Sequence, residues 1–273
     1  MVSKKQFQKI VLDFYSAHGR HKLPWRKTTD PHRILVSEIM LQQTQVDRVI
    51  LKYNTFIKKF PTTASLANAS SAEVLTLWSG LGYNRRALNL KKAAEIIVSV
   101  HKSKFPKNHQ DLLALPGVGS YTASAVIAFS YNQKSICIET NIRTVFIYHF
   151  LKDKNAVSDH DIKMMIEKTL PEKDFKTWYW ALMDYGAYLK KTVGNISKQS
   201  KLYAKQKPFR TSDRYIRGQI LKLLITSQKA ITIKKLFEEK RFDCTFAYFK
   251  GVVAQLEKEG LVKIKKESIT LPK

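Results

Sequence analysis

Apolar residues recur at spacings of three and four in one short run after another, and each run stops at a proline or a glycine. Phe7, Ile10, Val11, Phe14 and Tyr15 share one helical face. Similar runs occupy 34–60, 71–78, 85–101 and 109–115, with breaks at Pro24, Pro31, Pro61, Gly80, Gly82, Pro106, Pro116, Gly117 and Gly119. Strand-like alternation is nearly absent before residue 260. About the first 205 residues therefore read as an all-α assembly of short helices. From 190 to 210 the composition shifts to seven Lys or Arg and no acidic residue, a linker or an ordered basic connection. Beyond it, 212–225, 233–239 and 244–258 read as helices, and 261–271 alternates as a hairpin after Gly260. Three helices followed by a two-stranded ribbon make a small winged-helix-like C-terminal module, a pattern used for nucleic-acid and for protein contact. The expected domains are 1–210 and 211–273.

Charge narrows the class of partner. The 273 residues carry 48 Lys plus Arg against 22 Asp plus Glu, a net charge of +26. With 44% apolar and 11% aromatic residues the chain can bury a core, which excludes a disordered basic tail. The surplus fits polyanion binding or a solvated lysine-rich surface. The lysines are spread along the chain instead of lining one amphipathic helix, so nucleic acid is favoured over a membrane. Two cysteines, Cys137 and Cys244, cannot build a disulfide framework or supply four thiolates to a metal cluster, and a reducing cytoplasm is expected. The apolar stretch at 120–133 is broken by Ser, Thr, Tyr and Asn and is too short to span a bilayer. The N-terminal residues alternate apolar and charged side chains, unlike a signal peptide.

Two segments carry chemistry. Leu115-Pro116-Gly117-Val118-Gly119-Ser120-Tyr121-Thr122-Ala123, preceded by a helical run, reads as a helix-hairpin-helix. Its glycines permit positive φ and close approach, and the following helix opens with unpaired N–H groups that suit a phosphate. In Ser37-Glu38-Ile39-Met40-Leu41-Gln42-Gln43-Thr44-Gln45 a carboxyl sits inside an apolar helix. Desolvation raises the pKa of such a group and keeps a proton available for general-acid work, although a salt-bridged helix residue would look the same.

Five motifs in a fixed order carry a resemblance: LPWR (Leu23 to Arg26), SEIMLQQTQV (Ser37 to Val46), WSGLGYNRRALNL (Trp78 to Leu90), LPGVGSYTASAV (Leu115 to Val126) and LMDYGA (Leu182 to Ala187). Over residues 20–190 the chain resembles the helix-hairpin-helix DNA glycosylase superfamily, and within it the MutY-type adenine DNA glycosylases, which LQQTQ separates from other branches. The resemblance implies a two-lobed fold, with a six-helix lobe at about 22–132 and a second lobe from 1–21 plus 133–210. It implies a monofunctional enzyme that acts on double-stranded DNA and releases adenine mispaired with guanine or 8-oxoguanine, starting base excision repair. Thymine or uracil opposite guanine is an alternative target, and a DNA-binding protein on an inactive scaffold is the non-enzyme alternative. Glu38 matches the acid that protonates adenine at N7 and then helps activate water. Gln42, Gln43 and Thr44 match the segment that enters the duplex and lines the base pocket, and Tyr83 matches the wedge beside the mispaired purine. Gly117, Val118, Gly119, Ser120 and Asn141 match groups that hold the DNA backbone, with a monovalent cation often carried on the hairpin carbonyls. Tyr121 stands where bifunctional members have a Schiff-base lysine, and a phenol cannot form an imine. A monomer acting on DNA in the cytoplasm, without a membrane partner, is expected.

Three departures from the family pattern stand out. Glu139, in IETNI, replaces an aspartate, and the extra methylene leaves open whether the pocket accommodates it, whether the target base has changed, or whether Glu139 only caps a helix. Lys190, Ser197, Ser200 and Gln206 occupy the four cysteine positions of the iron-sulfur loop, so no cluster is expected and no metal is assigned. Lys190, Lys191, Lys198, Lys201, Lys205 and Lys207 remain to meet phosphates or to form a solvated linker. The residues after Arg210 are too few and too helical for the family's mixed α/β domain that reads 8-oxoguanine. Arg214, Arg217, Lys234, Lys235, Arg241, Lys250, Lys263, Lys265 and Lys266 offer phosphate contacts there instead.

Overall fold

A computed structural model describes residues 2–203, 209, 212–240 and 242–272. Lys205, Gln206, Lys207, Arg210 and Arg241 lie outside the described residues. The first half of the chain forms α1 (Lys4–His18), α2 (Pro31–Leu41), α3 (Val46–Lys59), α4 (Thr63–Ala67), α5 (Ser71–Trp78), α6 (Arg85–Ser99) and α7 (His109–Leu113). Next come α8 (Ser120–Tyr131), α9 (Thr140–Phe146), α10 (Asp159–Thr169) and α11 (Phe175–Thr192). The C-terminal segment contains α12 (Asp213–Ser227), β1 (Ile231–Thr232), α13 (Ile233–Lys240), α14 (Phe246–Lys258), β2 (Lys263–Lys265) and β3 (Ser268–Thr270). The expected helical body is present, and the run at 34–60 is two helices parted by a turn at Gln42–Gln45.

Contacts divide the chain into two compact units, one of Met1–Glu38, Pro106–Ala114 and Val118–Lys205, the other of Ile39–Phe105, Leu115–Gly117 and Gln206–Lys273. In the first unit α8 is the axis. Every residue from Thr122 to Phe129 is buried. Such a helix is enclosed on all sides, and its Ala and Ser residues let neighbours approach. Phe7 of α1 meets Phe146 and Trp178 with ring centroids 5.5 and 5.7 Å apart, joining α1, α9 and α11 in one aromatic core. Asp184 of α11 is buried and receives hydrogen bonds from the Arg20 backbone N–H (2.7 Å), Arg20 Nε (2.7 Å) and both terminal nitrogens of Arg26 (2.7 and 2.9 Å). Burial alone would raise its pKa, but the Arg26 bonds and charge, with those of Arg20, hold it below the ordinary value.

In the second unit α6 packs on α4 and α5, and α3 packs on α5. Thr62 with Ser65, and Ser70 with Glu73, form reciprocal capping boxes that start α4 and α5. Phe56, Leu66, Trp78 and Ala93 are fully buried among them. In the C-terminal segment α12 packs on α14 and α5, and the sheet order is β1-β3-β2, all antiparallel. Ile269 of β3 pairs with both Ile231 and Ile264. The expected two-stranded ribbon thus gains a third strand, whose two residues are too short to show an alternation in sequence.

Gly186 controls the approach of α11 to α9. A Cβ at this position would lie 2.1 Å from the Asn141 carbonyl oxygen, which belongs to backbone and cannot rotate away. Gly186→Ala should therefore cost about 1–3 kcal/mol or more, read as a lower urea midpoint for the full chain. An unchanged midpoint would show that the two helices are free to part.

Candidate active site

Glu38 lies on α2 within the apolar sequence RILVSEIML and is 5% exposed. Its Oε2 accepts a hydrogen bond from the Tyr121 hydroxyl at 2.9 Å, and Tyr121 is placed by the first turn of α8. Burial raises the Glu38 pKa, the Tyr121 bond opposes the rise and the Glu139 charge adds to it, leaving the group at about 7. The carboxyl is therefore half protonated near neutral pH. With Tyr121 donating to Oε2, the proton belongs on Oε1. Burial, then the charges of Glu38 and Glu139, push the Tyr121 hydroxyl well above its ordinary range, so it stays a donor.

Glu139 is the N-cap of α9. Its Oε1 accepts from the backbone N–H of Asn141 (2.8 Å) and of Ile142 (2.9 Å), and Asn141 Nδ2 donates to Oε2 at 3.4 Å. Burial raises its pKa, while the two amides favour the charged form. Two carboxyls whose charges act on each other divide their roles by surroundings. Glu139, with two amide donors on one oxygen, is the one suited to carry the charge, and Glu38 the one suited to carry the proton. Capping and charge placement are the same geometry here, since the amides aim the carboxylate. Cys137 is fully buried beside this pair, and burial pushes its thiol well above the ordinary value, so it is an inert neutral neighbour. Tyr121 and Glu139 are only partly buried, whereas Glu38 is almost fully enclosed.

Gln42, Gln43, Thr44 and Tyr83 come together in the second unit. Arg86 Nη1 donates to the carbonyls of Ile39 (2.7 Å), Met40 (3.1 Å) and Gln42, and its Nη2 to Thr44 Oγ1 (3.1 Å) and the Gly82 carbonyl (3.0 Å). The Ile39 and Met40 carbonyls are among those that the end of α2 leaves without helical partners. Its guanidinium also lies 5.4 Å from the Trp78 ring centroid and 5.5 Å from that of Tyr83. Burial lowers its pKa to about 10, so it remains charged. Gln43 (φ 54°) and Tyr83 (φ 47°) hold left-handed backbone conformations that side chains other than glycine rarely adopt. Gln43 is exposed, while Gln42 and Thr44 are half-buried.

The hairpin residues fall in both units: Gly117 in the second, Val118, Gly119 and Ser120 in the first. Gly117 has φ +79°, as expected of a tight turn. Gly119 does not share it, with φ −90° as the N-cap of α8 and no side-chain cap bond. Its lack of a side chain serves instead to leave the first-turn amides of α8 uncapped. Asn141, expected among the backbone-holding groups, turns its amide and side chain to Glu139. Of the iron-sulfur positions, Lys190 lies in the last turn of α11, Ser197 Oγ donates to Asn195 Oδ1 at 2.5 Å, and Ser200 bridges to Val157 in a parallel pair. An amine and two hydroxyls do not fit a cluster that needs thiolates. Among the described residues, no group of three or more His, Cys, Asp or Glu is placed to hold a metal ion, and no helix is long and apolar enough to cross a membrane.

A family model described as "HhH-GPD superfamily base excision DNA repair protein" matches residues 36–172, which contain Glu38, the Gln42–Thr44 turn, the hairpin and Glu139. The chain belongs to the HhH-GPD superfamily. Adenine DNA glycosylase of Buchnera aphidicola subsp. Baizongia pistaciae is 37% identical over 184 residues, covering 67% of this chain and 52% of its own length. This superfamily member therefore spans about half of that relative. Adenine DNA glycosylase of Mycolicibacterium smegmatis is 34% identical over 250 residues, 83% of each chain. The solved structure of a thermostable thymine-DNA glycosylase superposes with a TM-score of 0.60 at 26% identity, covering 67% of this chain and 86% of that one.

Arg86 and Arg26 carry much of this geometry, and sequence reading assigned neither a role. A signal was present for Arg86: Arg85 and Arg86 open α6, where the positive end of the helix dipole disfavours cations, so a tertiary purpose had to hold them. Arg86→Ala should destabilise the full chain by about 2–4 kcal/mol, because buried carbonyls lose a charged donor. Arg86→Lys should recover little of it, since one ammonium cannot span five acceptors. Denaturant midpoints check both, and full recovery by Lys would show that charge alone matters.

Proposed function

We propose that the chain is a monofunctional DNA glycosylase that hydrolyses the N-glycosidic bond of adenine mispaired with guanine or 8-oxoguanine, the first step of base excision repair. The observation that carries this reading is a buried carboxyl hydrogen-bonded to a phenol, in the same unit as a carboxylate held by two backbone amides. Glu38 gives its Oε1 proton to adenine N7 as the N9–C1′ bond breaks and the electron pair leaves with the base. C1′ acquires oxocarbenium character, and the Glu139 carboxylate is the anion that stabilises it. Water then attacks C1′ and returns its proton to Glu38, which restores the acid and leaves an abasic sugar. Tyr121 supplies a hydroxyl where imine chemistry needs an amine, so no strand-cleaving lyase step follows.

The duplex must release its base to this cluster, and the remaining residues fit that work. Gln42, Gln43, Thr44 and Tyr83 form the turn that enters the stack. Gly117, Val118, Gly119 and Ser120 present the uncapped amides of α8 to a backbone phosphate, a contact that carries no sequence information. A monovalent cation on the hairpin carbonyls fits the same reading. The net charge of +26 supplies affinity for the polyanion. In this reading 1–210 is the glycosylase domain and 211–273 an appended winged-helix-like module, and the protein acts as a monomer on DNA in the cytoplasm.

The similarity to a thymine-DNA glycosylase supports a second reading, thymine or uracil opposite guanine. Single-turnover base release from duplexes carrying A·G, A·8-oxoguanine, G·T and G·U separates the two. Adenine should be released from the first two, and Glu38→Gln should slow that release by about 10²–10⁴-fold while duplex binding persists. Glu139→Gln should lose most of the rate as well. Release of thymine or uracil alone would replace the first reading with the second, and release from none would leave a DNA-binding protein on an inactive scaffold.

A further inference from the structure

The second unit contains a cleft of about 1020 Å³ between the Gln42–Gln43 turn, the Gly80–Tyr83 loop and α12. Arg48, Lys52, Arg85, Arg214 and Lys222 line it, and its carboxylate, Glu259, is bonded to Arg217. Tyr83 is 36% exposed in this basic setting. Arg214 Nη1, from the first turn of α12, donates to the Tyr83 hydroxyl at 2.9 Å, and its guanidinium carbon lies 5.9 Å from the ring centroid. The flanking residues fix α12 on α14: the Tyr248 hydroxyl donates to Asp213 Oδ1 at 2.6 Å, and Arg217 Nη1 donates to Glu259 Oε1 at 3.0 Å. Arg214 is thus presented from an anchored turn.

A cation in the first turn of a helix opposes the helix dipole, so Arg214 is not there to stabilise α12. A phosphate contact alone would be served by any flexible ammonium. The observed contact uses a directed N–H and a planar cation on a ring, which are properties of arginine. An exposed ring in a basic cleft is a stacking platform for a base, and fixing it beforehand removes rotamer entropy from the cost of inserting it. We propose that Arg214, delivered by the C-terminal module, is a positioning residue that holds the Tyr83 ring ready to enter the stack at a mispair, so that the module contributes to mispair recognition. This rests on the function proposed above.

The test is equilibrium binding of the full chain to duplexes with an uncleavable 2′-fluoro-2′-deoxyadenosine opposite guanine or opposite thymine, at several salt concentrations. Arg214→Ala should reduce the ratio of mispair to matched affinity by about fivefold or more. Arg214→Lys should restore matched-duplex affinity and the salt slope but not that ratio. In a Tyr83→Ala background, Arg214→Ala should lower the ratio no further. If Arg214→Ala weakens both duplexes equally, flattens the log–log salt slope by about one and is rescued by Lys, Arg214 is a phosphate contact and the proposal fails. Wild-type discrimination that survives Arg214→Ala overturns this proposal alone, whereas a wild-type protein without discrimination overturns the proposed function with it.

Discussion

A carboxyl removed from water is the constraint that orders the first unit. Left alone, Glu38 would be an expensive buried charge, and the protein meets that cost by letting it keep its proton and giving it one hydroxyl partner. That arrangement works only if its surroundings stay dry and fixed. The enclosed α8 carries Tyr121 on its first turn, and Gly186 allows the α9 start, with Glu139 as its cap, to lie against α11. Asp184 ties α11 to Arg20 and Arg26, and the Arg26 charge is itself felt at Glu38. The LPWR and LMDYGA motifs, distant in sequence, are thus the two ends of one ion-pair network.

The second unit solves a different problem, that of holding an exposed turn in a strained shape. Left-handed conformations at Gln43 and Tyr83 persist because one guanidinium collects the carbonyls around them. Positive charge here has separable uses. Arg86 is internal structure, Arg217 is joined to Glu259, and Arg48, Lys52 and Lys222 face the cleft. The overall surplus therefore does not measure DNA contacts directly.

Much of the fold was legible because helices of this kind advertise themselves by apolar spacing and by the Pro and Gly that end them. Ser71–Trp78 and Arg85–Ser99 begin where the pattern and the breakers say they should. The turn at 42–45 was hidden because Gln-Gln-Thr-Gln contains no Pro or Gly to end a helix, and what gathers the carbonyls at the bend is Arg86, about forty residues away. The positive φ of Gly117 could be read from its neighbours, whereas Gly119 looked equivalent and is extended. Glu38 could be singled out as a carboxyl in an apolar helix. The partner that sets its proton affinity, Tyr121, lies 83 residues on, and only its place in the hairpin motif connected them. Strand β1 and the Arg214–Tyr83 contact left no periodic trace at all.

Base release by this cluster depends on the proton of Glu38. The most direct measurement is the pH dependence of single-turnover adenine release by the wild-type chain, compared with Tyr121→Phe. With Glu38 at about 7, the rate should hold on the acid side and fall about tenfold per pH unit above it. Loss of the Tyr121 hydrogen bond, which favours the charged form, should move that limb to higher pH. A rate independent of pH across neutrality, or a limb near the ordinary carboxylate value of 4.5, would contradict a buried general acid at this position.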